Sequence, residues 1–147
     1  MSHTHHTPHT LPEILKEHGF RVTRGKLGLL SLLKQVGHPL SIQQIAASWE
    51  GKAPDTATLY RALSDLSNAG IIRRIDLNTG VAHFEYSPDR PHHHHIVCSN
   101  CGTIEEIEGC SIDSLQKKIS TTSKRFTQIT THNLEFFGQC TTCLPTR

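Results

Sequence analysis

Through most of the first 70 residues, apolar side chains recur every three or four positions, a period that predicts helices. The first is expected over residues 11–18. Thr23 caps a second, which lines up Leu29, Leu32, Leu33 and Val36 and stops at Gly37-His38-Pro39. Ser41, with Gln44 three residues on, forms a capping box for a third helix with Ile42, Ile45, Ala46 and Trp49 on its apolar side. After a turn over 51–54, Asp55 caps a fourth helix whose stripe is Leu59, Ala62, Leu63, Leu66 and Ala69, and Gly70 ends it. The period then falls to two. Residues 71–77 and 81–86 read as strands joined through Asn78-Thr79-Gly80, a hairpin signal. Helices followed by such a hairpin predict a winged helix-turn-helix domain.

A short linker, bounded by Pro88 and Pro91, follows. Beyond it, strands are expected over 94–98 and 103–107. A helix over 111–122 carries Ile112, Leu115 and Ile119 on one face, and a long strand over 126–137 returns to the last cysteines. The predicted class is α+β: a flexible His-rich tail at 1–10, a winged helix at 11–87, a hinge at 88–91 and a small α/β domain at 92–147. No internal repeat is evident.

Composition narrows the class. At 147 residues, with 35% hydrophobic and 19% charged, the chain suits two small soluble domains. No apolar run approaches the roughly 20 residues of a membrane span. Residues 1–10 lack the apolar stretch of a signal peptide, so a cytoplasmic location is expected. The net charge is +2; residues 1–87 hold nine Lys/Arg against seven Asp/Glu, and the remainder six of each. This small excess permits nucleic-acid binding without predicting it.

The unusual residues are twelve histidines and five cysteines. Cys98-Ser-Asn-Cys101-Gly and Cys140-Thr-Thr-Cys143 are two-residue-spaced pairs. Such spacing lets a tight turn offer two sulfurs to one ion, and two turns complete a tetrahedron suited to Zn²⁺. A closed four-thiolate shell leaves no position for catalysis, so this zinc is expected to be structural. Cys110 belongs to neither pair.

Directly before the first pair stands Pro91-His92-His93-His94-His95. In an extended strand, alternate side chains face opposite ways. His93 and His95 then share one face, and His92 and His94 the other, so one strand can feed two metal sites. Partners are available in Glu85, Glu106, Asp113 and His132. Imidazole with carboxylate suits Fe²⁺, Mn²⁺, Zn²⁺, Co²⁺ or Ni²⁺, and the ligand types alone do not choose among them.

Several segments, taken in order, resemble the ferric uptake regulator (Fur) family. They are Arg21-Val-Thr-Arg24, Ala57-Thr-Leu-Tyr60-Arg61-Ala-Leu63, Phe84-Glu85-Tyr86, the histidine run with Cys98-x-x-Cys101-Gly, and His132-Asn-Leu-Glu-Phe-Phe-Gly138-x-Cys140-x-x-Cys143. The resemblance implies a winged helix joined to a dimerisation domain, a homodimer, a double-stranded DNA operator and metal-dependent regulation, as a repressor. It places the fourth helix in the major groove, with Tyr60 at a base and Arg61 near phosphate, and Arg21 in the minor groove. Thr56, Thr58, Tyr60, Arg61 and Ser64 all avoid the apolar stripe, as DNA contact requires, although a merely solvated face would do the same. The resemblance further implies a regulatory site of His38, Glu85, His93, His95 and Glu106 at the hinge. A second site, within the dimerisation domain, would use His92, His94, Asp113 and His132.

Departures from the family pattern refine this picture. Zinc-uptake members commonly have Cys at the position of Glu85, and peroxide sensors have Asp at both hinge carboxylates, so the iron-type regulators match best. The family often has an acidic residue where His94 stands. Zinc-, manganese- and peroxide-sensing remain the alternatives. A metalloenzyme or a metal store is disfavoured: there is no His-Glu-x-x-His motif, nucleophile motif or glycine-rich phosphate loop, and no catalytic residue is expected. The expected metals are structural Zn²⁺ and regulatory Fe²⁺, Mn²⁺ or Zn²⁺.

Overall fold

A computed structural model describes residues 9–88, 92–109 and 111–144. Most of the His-rich tail, the hinge residues 89–91 and Cys110 lie outside the described residues. The chain divides between Pro88 and Asp89 into two compact units.

The first unit contains α1 (Leu11–Glu17), α2 (Arg24–Val36), β1 (Leu40–Ser41), α3 (Ile42–Ala47), α4 (Thr56–Asn68), β2 (Ile72–Asp76) and β3 (Ala82–Tyr86). Helix starts follow the side chains that satisfy their orphan N–H groups. The Thr23 hydroxyl accepts from the Lys26 N–H, Ser41 from Gln44 and Asp55 from Thr58. Gly37, with φ +73°, closes α2 in the left-handed conformation that costs glycine least. Strands β2 and β3 pair antiparallel with Ile72 opposite Tyr86. The sequence did not suggest β1: two residues beside Pro39 pair Leu40 with Phe84 and make β3 the central strand of three. The core draws on every helix and includes Leu15, Leu29, Leu33, Ile45, Leu63, Leu66 and Ile71, each almost fully buried. Each such side chain contributes about 1.5–3 kcal/mol of burial.

The second unit contains β4 (His93–Cys98), β5 (Ile104–Glu108), α5 (Asp113–Thr122) and β6 (Glu135–Gly138). Its sheet has the order β5-β4-β6, antiparallel on one side of β4 and parallel on the other. One expectation fails here. The long strand over 126–137 is reduced to Glu135–Gly138, and the residues before it have no regular structure. Phe126, Ile129 and Leu134 are not spaced by two, so no continuous face exists for a sheet to bury. Helix α5 begins at Asp113, two residues later than expected, and buries no residue. Among the described residues no helix is long and apolar enough to cross a membrane.

Candidate functional site

In the second unit the backbone sets the two cysteine pairs close together. The turn after β4 is closed by the Gly102 N–H donating to the Cys98 carbonyl, and the turn after β6 by the Cys143 N–H donating to that of Cys140. The parallel pairing of Cys98 with Gly138 brings the turns side by side. Ligand atoms of Cys98, Cys101, Cys140 and Cys143 all lie within 4.8 Å of one another. The sulfurs of Cys101 and Cys140 are 3.6 Å apart. That is far beyond a disulfide and close to the ~3.8 Å edge of a tetrahedron with Zn–S bonds of about 2.3 Å. All four are free thiols.

The electrostatics of the group favour a cation. Backbone N–H groups of Cys101, Cys140 and Asn100 hold the Cys98 thiol down to about 6. The Thr103 hydroxyl, 3.1 Å from the Cys101 sulfur, lowers that thiol as well. The Asn100 side chain favours the Cys143 thiolate, but neighbouring Cys101 and Cys140 outweigh it and push Cys143 up to about 12. Four sulfurs in this space cannot all be charged without a metal. The donor set and its spacing fit zinc.

The histidine strand divides as its pleat requires. The rings of His93 and His95 lie 5.1 Å apart, and those of His92 and His94 4.7 Å apart. His93, His94 and His95 are all buried. On the first face, His95 sits opposite Glu106 on β5, and Glu106 lies diagonally 3.8 Å from His93 Nδ1. On the other face, His92 Nε2 approaches His94 Nε2 at 3.1 Å and His132 Nε2 at 3.0 Å. Asp113, the acidic residue expected with these three, stands outside the group they form. Helix α5 instead directs Gln116 to His132, at 3.1 Å from Nδ1.

Three contributors escaped the sequence reading. Glu135 on β6 is the parallel partner of His95. Its Oε2 accepts the His95 backbone N–H at 3.1 Å and lies 3.2 Å from Nδ1. A carboxylate there favours the tautomer with the proton on Nδ1. Gln116 places its amide nitrogen, a donor, against His132 Nδ1. Both depend on contacts between distant segments, which no local pattern reports. The third is Arg73 in the first unit. Its guanidinium donates twice to Glu85 Oε1, at 2.9 and 2.6 Å, and Glu85 is buried.

Also in the first unit, α4 exposes Thr56, Thr58, Tyr60 and Arg61 while Leu59, Leu63 and Leu66 are buried. Tyr60 is 53% exposed, unusual for so large a side chain. The Thr58 hydroxyl donates to Asp55 at 2.7 Å, so it serves the cap. Arg21 and His38 are exposed, with His38 Nδ1 3.2 Å from the Pro39 carbonyl oxygen.

Comparison with known proteins identifies relatives of this arrangement. The model of the ferric uptake regulator family matches residues 17–137. The chain is 35% identical over 132 residues to the ferric uptake regulation protein of Neisseria gonorrhoeae, covering 88% of this chain and 90% of the relative. The crystal structure of the Vibrio cholerae ferric uptake regulator superposes with a TM-score of 0.74 at 32% identity, covering 88% of this chain and 98% of the other. The ferric uptake regulator of Francisella tularensis, solved with iron, superposes at 0.73 and 29% identity, covering 85% and 95%.

Proposed function

Because the chain belongs to the ferric uptake regulator family of metal-responsive transcription regulators, we propose that it is the iron-type repressor of its cell. In this reading it is a cytoplasmic homodimer that grips a palindromic operator when Fe²⁺ occupies a site at the domain hinge. The winged helix spans residues 11–87, the hinge 88–91 and the dimerisation domain 92–147.

The observation that carries the reading is the face of the second sheet that gathers His93, His95 and Glu106, with Glu135 fixing the His95 ring. Two imidazoles and a carboxylate are donors that Fe²⁺ accepts, and the F. tularensis relative is described with iron. In the proposal Glu85 and His38 supply ligands from the winged helix. The Arg73 fork on one oxygen of Glu85 orients its carboxylate. Zn²⁺ in the four-cysteine group holds the dimerisation domain together and takes no part in sensing. At the operator, Tyr60 meets a base, Arg61 and the start of α4 meet phosphate, and Arg21 enters the minor groove.

The mechanism is linkage. A metal shared by the two domains fixes the angle between them, and two fixed recognition helices match successive grooves. The metal therefore binds the DNA-competent arrangement more tightly, and DNA tightens metal binding by the same factor. Anaerobic electrophoretic shifts on an AT-rich palindrome test this. Fe²⁺ should support a retarded complex, with Mn²⁺ as a weaker substitute. The double variant Glu85→Ala, His93→Ala should remain a folded dimer and lose the metal dependence. Unchanged metal-dependent affinity in that variant would overturn the hinge assignment.

A further inference from the structure

Strand β3 carries a buried negative charge with a fixed counter-ion. Glu85 stands directly opposite Arg73 across β2 and β3. The Arg73 Nε and Nη2 both donate to its Oε1, at 2.9 and 2.6 Å. The Glu85 side chain is 1% exposed and that of Arg73 33%. A carboxylate so deeply buried is costly unless a positive charge sits beside it. Within the first unit, Arg73 meets that need. A guanidinium does not lose its proton in a folded protein, so this partner is always charged.

In the proposed function Glu85 is also a metal ligand from the winged helix. A dication would then meet a carboxylate that already has a cation at contact distance. Arg73 acts on such a site in two opposed ways. Its fork orients the carboxylate, which favours metal binding, and its charge repels the metal, which opposes it. Magnitudes decide between them. Glu85 lies buried on the central strand of three, so packing already restricts its side chain and the fork adds little orientation. The charge weighs more, because a positive group a few ångströms from a dication weakens its binding strongly even at the effective dielectric of a protein surface. One third of the Arg73 side chain meets solvent, and screening there keeps the effect to about tenfold.

We infer that Arg73 is a built-in competitor for the regulatory metal. It holds Glu85 when no metal is bound, and so raises the metal concentration at which the regulator responds. The inference rests on the reading of Glu85 as a ligand. What it adds is a residue that touches no metal and yet sets the threshold. The same pairing lets the first unit bury Glu85 without metal.

The test titrates Mn²⁺ by calorimetry into the full chain with zinc in its cysteine site, and follows the binding event that Glu85→Ala weakens. Arg73→Gln and Arg73→Met both remove the charge, and Met keeps an apolar stem. Arg73 lies outside the apolar core, so both variants should fold. Each should tighten that event by about tenfold, and lower by a similar factor the Mn²⁺ needed for half of the operator shift. Arg73→Lys keeps the charge and should bind Mn²⁺ as the parent does. Without Mn²⁺ both neutral variants should melt below the parent, since Glu85 loses its counter-ion. Neutral variants that bind Mn²⁺ no more tightly than the parent, or that melt with it, would overturn the role of Arg73 and leave Glu85 as a ligand. Tightening shared by Arg73→Lys would assign the effect to the fork and overturn the charge competition. A Glu85→Ala titration identical to the parent's would instead remove the hinge reading, and the inference with it.

Discussion

Some of the histidines proposed as metal ligands are set by a neighbour outside the proposed ligand set. Glu135 is the clearest case, because one carboxylate oxygen meets both the backbone and the ring of His95. Glu135→Ala should lower metal affinity at the His93–His95 face by about 10–100-fold. Glu135→Gln, which keeps an acceptor, should recover much of the loss. Calorimetric titration of Mn²⁺ into zinc-loaded protein separates these outcomes, and equal affinity in all three forms would remove Glu135 from the site. His95 and the residue types around it were legible in the sequence because a pleat has only two faces. Glu135 was not, although it stands in a motif with His132, because parallel register across 40 residues leaves no local trace. On α5 it is Gln116, three residues after Asp113, whose side chain meets His132.

Among the elements, those of the first unit were read almost completely. Caps and apolar stripes locate α2, α3 and α4, and Asn78-Thr79-Gly80 locates the hairpin; β1 is missed because two residues carry no period. The second unit was read less well, and the expected strand over 126–137 shrinks to four residues. Helix α5 explains part of the difficulty. Leu115 and Ile119 align as a core-facing stripe would, yet they are 49% and 47% exposed. With Phe126 also exposed, an apolar surface of this kind suits a second copy of the chain. Leu115→Asp with Ile119→Asp should shift a dimer towards monomer in sedimentation measurements. The exposed positions should leave the monomer fold within about 0.5 kcal/mol of its stability. A dimer of unchanged strength would place the interface elsewhere.

At the scale of the whole molecule, stability is unevenly founded. Among the described residues, the buried apolar ones of the second unit are Val97 and Cys98, whereas the first unit has a core of its own. The second unit therefore leans on its metal. Binding to four cysteines whose thiolates repel one another supplies the folding free energy that a core would otherwise provide. A strong chelator should split thermal unfolding into two transitions. The first unit should melt near its original temperature, and the second should melt far lower or not fold at all. Calorimetry with and without chelator checks this, and a single unshifted transition would refute the division.

That dependence reaches beyond the stability of one domain. A unit that folds only around its ion has a folded fraction that rises with the free concentration of that ion. Zinc supply would then govern how many copies of the regulator exist, while the regulatory metal of the proposed function would govern what each copy does. The two signals multiply. In a zinc-starved cell, control would fail through the disappearance of the sensor, even with iron abundant.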